Sequence, residues 1–242
     1  MLPLKTFKRL RAGRVWTACG FSTTALLGVT GAWKLCSRNC YFEPFEPEND
    51  PLFQSHYFHK FNPGQHPSLN DTCVRKVALS DIEAELVDDA LKNGSLLTER
   101  FCAGVWGGFG YAVQRKILNW VLKTETNRDM LWNKIELLNS KYEEGTVVTD
   151  HFVVLKKTAT SIIMRGGISP TKNPEAPRDI DNLSEITVNL DVERGVAEFR
   201  LKNIFFNGVE NTTKSMFPSP VVWLHYQYCK LLVESGVRNC VI

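Results

Sequence analysis

The chain has no Cys-x-x-Cys pair, no Gly-x-Ser-x-Gly elbow, no His-Glu-x-x-His, no EF-hand loop and no kinase motif set. Those absences remove the enzyme and metal-binding classes that announce themselves by short motifs, so any chemistry must come from ordinary residues gathered in a pocket. Histidine is scarce, at five residues, and the seven cysteines (Cys19, Cys36, Cys40, Cys73, Cys102, Cys229 and Cys240) are odd in number and scattered. No obligatory disulfide framework is indicated. Cys36 and Cys40 follow an apolar segment where acylation is chemically open, though inert thiols are the simpler reading.

Charge of one sign is also in short supply. The net charge is +3, and the excess lies at the N-terminus, in Lys5, Lys8, Arg9, Arg11, Arg14, Lys34 and Arg38. The rest of the chain is mildly acidic, which argues against a nucleic-acid partner. The glycine run Gly104, Gly107, Gly108, Gly110 precedes a helix but lacks a preceding strand, Rossmann spacing and a Gly-Lys-Ser/Thr tail. Nucleotide binding is therefore not expected, and no cofactor is expected. The glycines are better read as places where one backbone approaches another, with Trp106, Phe109 and Tyr111 supplying apolar surface.

What the chain does contain begins with residues 15–33, an uncharged stretch behind a basic N-terminus and ahead of the first acidic residue, Glu43. It is just long enough to cross a bilayer core, and the positive flank favours a cytosolic N-terminus and a lumenal body. A mitochondrial presequence and a cleaved secretory signal remain alternatives. A single-pass membrane protein of the endoplasmic reticulum is the expectation, with a mitochondrial location as the alternative. Sequons at Asn70, Asn93, Asn182 and Asn211 would then be open to glycosylation.

Three regions follow: the anchor over 1–40, an aromatic, proline-rich linker over 41–70, and a single ligand-cavity domain over 71–242. The linker carries His56, His59 and His66, read as solvated loop histidines. Ser80 and Glu83 suggest a capping box opening a helix that stops at Asn93-Gly94, and helices are expected over 113–122 and around Leu131, Ile135 and Leu138. From Thr146 to Phe206 the chain turns β-rich. Ile186, Val188 and Leu190 alternate with Glu185, Thr187 and Asn189, and beyond a Glu193-Arg194-Gly195 turn Ala197, Phe199 and Leu201 alternate with Glu198, Arg200 and Lys202. This is a β-meander with one apolar face, and residues 166–182 read as a long mouth loop. Behind Pro218 and Pro220, the spacing of Val221, Leu224, Tyr228, Leu231 and Ser235 predicts a long helix to cover that face. The fold class expected is α+β, an antiparallel sheet wrapped on a long C-terminal helix, enclosing a cavity.

The candidate catalytic residues are Asp150, His151, Arg165 and His225. Asp150 and His151 sit side by side in TVVTDHFVVL, so on a continuous strand one of them faces inward. A buried carboxylate or imidazole needs a partner, and Arg165 on the adjoining strand is the natural one. His225 stands among aromatics on the C-terminal helix. Trp106, Phe109, Tyr111, Trp223 and Tyr228 are the candidates for binding a substrate.

The segments FCAGVWGGFGYAVQRKIL, GTVVTDHFVVLKKTATSIIMRGG, GVAEFRLKNIFFNG and WLHYQYCKLLVESGVRN resemble a group of small filamentous-fungal proteins. Some belong to natural-product clusters, among them the kind associated with the norbornene-forming Diels–Alder step of sordaricin-type diterpenoids. The resemblance spans Asn70 to the C-terminus and carries no catalytic motif. It implies a helix-grip-like body and a cofactor-free cyclase or isomerase acting on a lipophilic polyene or terpenoid. A non-enzymatic mitochondrial or endoplasmic-reticulum protein that binds lipid or assists complex assembly is the rival expectation. A thioesterase- or dehydratase-like enzyme built on Asp150 or His151 is a third.

Overall fold

The computed structural model describes residue 33 and residues 37–170, 172–211 and 216–242. The chain divides into two units, residues 1–36 and 37–242. Of the expected anchor region, residues 1–40, only Trp33 and residues 37–40 are among the described residues, and among the described residues no helix is long and apolar enough to cross a membrane.

The second unit runs β1 (Tyr41–Glu43), α1 (His56–Phe61), β2 (Ser68–Ala78), α2 (Ala84–Leu91), α3 (Leu96–Gly107), α4 (Ala112–Leu122) and α5 (Lys134–Asn139). It continues through β3 (Val147–Val148), β4 (Phe152–Lys157), β5 (Ser161–Gly166), β6 (Asp181–Asp191), β7 (Val196–Phe206) and α6 (Ser219–Arg238). It is an α+β fold with a seven-stranded sheet, order β1-β2-β7-β6-β5-β4-β3, antiparallel throughout.

The hairpin β6–β7 is central because its alternation gives each face a complete set of side chains. Ile186, Val188, Ala197, Phe199 and Leu201 enter the main core beneath α3 and α6. Two glycines let those helices cross closely: a Cβ on Gly104 would lie 2.8 Å from the Gly236 Cα, so larger residues would force the helices apart. α6 begins, as expected, behind Pro218 and Pro220, but its buried face differs from the expected stripe. Val221 and Leu224 are exposed, while Cys229, Leu232, Val233 and Val237 point inward.

Residues 41–61, expected to be an extended linker packing its aromatics onto the domain or the membrane surface, are part of the folded unit. β1 adds an edge strand, and Phe45, Leu52, Phe53, Phe58 and Phe61 pack on the second face of the sheet against Ile163, Leu183, Ile204 and Phe206. Phe58 and Phe61 stand one turn apart on α1, while Phe45, Leu52 and Phe53 come from the irregular stretch before it, so no single period runs through the segment. The expected capping box at Ser80 does not form. A 3-10 turn spans Leu79–Asp81, and α2 begins at Ala84 behind Glu83 without a side-chain cap.

Candidate functional site

Between the sheet and α6 lies a cavity of about 290 Å³, lined largely by apolar side chains. Trp106 from α3, Phe152 from β4, Leu201 and Phe205 from β7, and Leu232 from α6 form much of its wall. Trp106 is buried and stacks in a tilted arrangement on Phe152 at 4.5 Å between ring centroids. Its indole N–H finds no oxygen or nitrogen acceptor; it lies beside the buried Cys102 thiol, a weak partner.

Three polar side chains line this cavity without a hydrogen bond to any described residue: Gln114, His151 and Tyr228. The His151 ring makes no hydrogen bond with any described residue and packs edge-on against Phe152 at 4.7 Å. Burial lowers its pKa, against a smaller upward pull from Asp150, so the imidazole is held neutral. Tyr228 lines the cavity with its ring, while its hydroxyl is buried without a hydrogen bond and burial pushes its pKa far up, so it remains a donor. An unmade hydrogen bond at a buried hydroxyl costs roughly 1–3 kcal/mol, a debt that a ligand acceptor would cancel.

The remaining polar groups form a continuous row along the helix-facing side of the sheet. Ser184, Asn203 and Asp71 are direct cross-strand neighbours on β6, β7 and β2. Ser184 Oγ lies 2.8 Å from Asn182 Oδ1 and 2.9 Å from Asn203 Oδ1. The Asn203 amide donates to Asp71 at 3.2 Å, and Asp71 Oδ2 meets His225 Nε2 at 2.6 Å. Cys229 Sγ is 3.4 Å from that same nitrogen. Burial pushes the Cys229 thiol well up, with the Asp71 carboxylate pushing in the same direction, so it is not an activated nucleophile.

Of the candidate catalytic and substrate-binding residues, His151, His225, Trp106 and Tyr228 meet at the cavity. The others do not. Asp150 is not on a strand: Thr149 and Asp150 both have positive φ and make a tight turn closed by the His151 amide on the Val148 carbonyl. The turn frees His151 from the alternation and leaves Asp150 held by Ser169 Oγ at 2.6 Å and Asn127 Nδ2 at 3.2 Å.

Arg165 faces the opposite side of the sheet. It forms a two-pronged pair with Asp181 at 2.9 and 2.6 Å and donates to the carbonyls of Pro174 and Ala176 at 2.6 and 2.7 Å. Its guanidinium lies flat over Phe61 at 3.5 Å. These bonds fasten the loop between β5 and β6, so the expected mouth loop is pinned from below, while its Gly167 and Ile180 line the cavity. Tyr111 is fully buried against Trp106 and hydrogen-bonds Thr149 at 2.5 Å, behind the cavity wall. Phe109 and Trp223 are on the surface, at 44% and 63% exposure, Phe109 beneath the Arg238 guanidinium.

The sequons also separate. Asn93 and Asn211 are exposed, and Asn70 is half-buried with its amide on the Phe45 carbonyl. Asn182 is buried in β6 and lines the cavity, where a glycan has no room.

Asp71, Asn203 and Cys229 escaped the sequence reading, although a signal for two of them existed. Continuing the inward phase of Ile186 reaches Ser184 and Asn182, and continuing that of Leu201 reaches Asn203, so polar residues at inward positions mark the place where the core stops being filled. Cys229 stands one helical turn from His225. Comparison of the chain with protein-family profiles, with curated proteins and with solved structures finds no match in any of the three, and the site is read from its own chemistry.

Proposed function

We propose that the protein is a cyclase or isomerase that folds a lipophilic polyene or terpenoid into a reactive conformation inside the cavity between its sheet and α6, in a helix-grip-like arrangement. The observation that carries this reading is the pairing of an apolar, partly enclosed space with two unpartnered groups, the neutral His151 ring and the Tyr228 hydroxyl. An apolar wall selects a hydrocarbon skeleton, and the two polar groups suit a carbonyl or hydroxyl on it. The cavity volume lies at the lower end of the ~300–1,000 Å³ usual for ligand sites, which favours a compact or folded substrate over an extended chain.

Holding the reacting carbons in contact removes much of the entropic barrier, an effect that reaches roughly 7–11 kcal/mol in well-oriented intramolecular reactions. A hydrogen bond from Tyr228 or His151 to a conjugated carbonyl that strengthens as charge develops adds about 100-fold or more. Neither effect requires a cofactor. The N-terminal segment, acting as a membrane anchor, would hold the body beside the bilayer in which such substrates dissolve, with the endoplasmic reticulum as the expected membrane.

A second reading, a lipid-binding membrane protein without catalysis, is favoured by the outer face of α4. Val113, Ile117, Trp120 and Val121 form an exposed apolar stripe there, Trp120 at 87% exposure. One experiment separates the two. If the gene is deleted in its host, the catalytic reading expects one lipophilic product to vanish while an isomer of the same mass accumulates. Complementation with Tyr228→Phe or His151→Phe should restore the protein but not the product. An unchanged metabolite profile, or full rescue by both variants, would overturn catalysis and leave the lipid-binding reading.

A further inference from the structure

The Asp71–His225–Cys229 cluster has a geometry that proton-relay chemistry does not explain. In a nucleophile–histidine–carboxylate relay the imidazole uses one nitrogen for each partner. Here His225 Nε2 faces Asp71 Oδ2 at 2.6 Å and is also the ring nitrogen nearer to Cys229 Sγ, at 3.4 Å against 3.8 Å for Nδ1. One carboxylate oxygen, one imidazole nitrogen and one sulfur thus converge, all within 4.8 Å of one another. Convergence on a common point is what ligands around an ion do.

From these contacts we infer that Asp71, His225 and Cys229 form a binding site for one divalent transition ion of the zinc class, with a coordination position open to the cavity. The donor set is mixed O, N and S, which suits zinc over magnesium or calcium. Zinc–nitrogen and zinc–sulfur bonds of about 2.0–2.1 and 2.3 Å at a tetrahedral centre set the two donors roughly 3.6 Å apart, close to the separation found here. The carboxylate–imidazole contact is a hydrogen bond that would open by less than about 1 Å, an adjustment within reach of side-chain rotation.

Charge favours the same conclusion. A carboxylate and a thiolate buried together are costly alone, and a doubly charged ion neutralises them. On binding, the thiol proton leaves to solvent and His225 presents a bare Nε2 as the neutral tautomer protonated at Nδ1.

The surroundings resemble an outer ligand shell. Asn203 Nδ2 donates to Asp71 Oδ1 at 3.2 Å and points at Cys229 Sγ at 3.5 Å, fixing two ligands at once. Phe205 stands edge-on to the His225 ring at 5.1 Å and keeps one side dry. His225, Cys229 and Asn203 all line the cavity, so the fourth position faces any bound molecule. An ion there could polarise a ligand oxygen, but the inference rests on the ligand geometry and stands whatever the cavity binds.

The test uses the full-length chain, stripped with a chelator and titrated with cobalt(II). The expected result is one equivalent of tetrahedral cobalt with a thiolate-to-cobalt charge-transfer band. That band should be absent in Cys229→Ser, and affinity should fall by more than about 100-fold in Asp71→Asn and His225→Ala. Asn203→Ala should keep the band with roughly 10–100-fold weaker binding. A folded wild-type chain that gives no thiolate band overturns the site. So does a band that persists in Cys229→Ser, since it places the cobalt on a different cysteine. If Cys229→Ser fails to fold by circular dichroism, the wild-type spectrum and Asp71→Asn decide: undiminished affinity in Asp71→Asn overturns the assignment.

Discussion

Two polar groupings, one on each face of the sheet, differ in how they are satisfied. On the face covered by residues 41–61, Arg165 is only 1% exposed, yet its donors meet Asp181 and loop carbonyls, and its plane is covered by Phe61. On the face covered by α6, the half-buried His151 ring lines open space and the buried Tyr228 hydroxyl lies beneath the cavity wall, both without partners among the described residues. A buried charge by itself is therefore no mark of a functional site. The difference lies in satisfaction: Arg165 has every partner it needs, whereas His151 and the Tyr228 hydroxyl have none, and His151 has open space beside it as well.

That contrast can be sharpened by substitution. Removing one member of the buried ion pair strands its partner, so Asp181→Asn or Arg165→Met should destabilise the fold by about 3–5 kcal/mol in urea titrations. A comparable loss, about 3–5 kcal/mol, is expected for Phe58→Ala, which opens a hole in the aromatic layer against Phe53 and Phe206. If Phe58→Ala were neutral, residues 41–61 would be a linker after all. At the helix crossing, Gly104→Ala should cost roughly 1–3 kcal/mol, because its methyl meets Gly236 backbone.

On the cavity face the expected pattern reverses. Tyr228→Phe removes an unsatisfied hydroxyl and should leave the melting temperature unchanged or slightly raised while weakening ligand binding or turnover. A large loss of stability would reveal a partner for that hydroxyl and remove Tyr228 from the site. Acid gives a smaller signal. The folded His151 has a pKa below its unfolded value of about 6.5, so the unfolded chain takes up the proton first. Stability from this group is complete above about pH 6.5 and declines as pH falls from there through the lowered folded pKa. His151→Phe should flatten that slope relative to the wild type. Last, Trp223→Ala should change stability by no more than about 0.5 kcal/mol, as expected of a surface side chain.

The α+β class, the β6–β7 hairpin and its phase were legible because alternation is a local property: Ile186, Val188, Phe199 and Leu201 occupy the core they point to. The close helix approach at Gly104 was legible for a similar reason, since a glycine within an apolar helix has few other uses. The Asp150–His151 assignment failed at the turn, where two positive-φ residues break the period on which it relied. The buried face of α6 was misjudged because helical spacing admits more than one stripe, and the sheet and α3 select among them.

Composition, the absence of motifs and the two-residue period thus determined a meander with a covering helix from the sequence alone, since these depend only on neighbours along the chain. The cavity, the separation of Arg165 from it, and the meeting of Asp71 with His225 and Cys229 across more than 150 positions were decided only in the tertiary structure. Local pattern specifies which face a side chain takes. Which distant side chains share that face, and whether the space between them is filled, depends on how the strands order and where α6 crosses them.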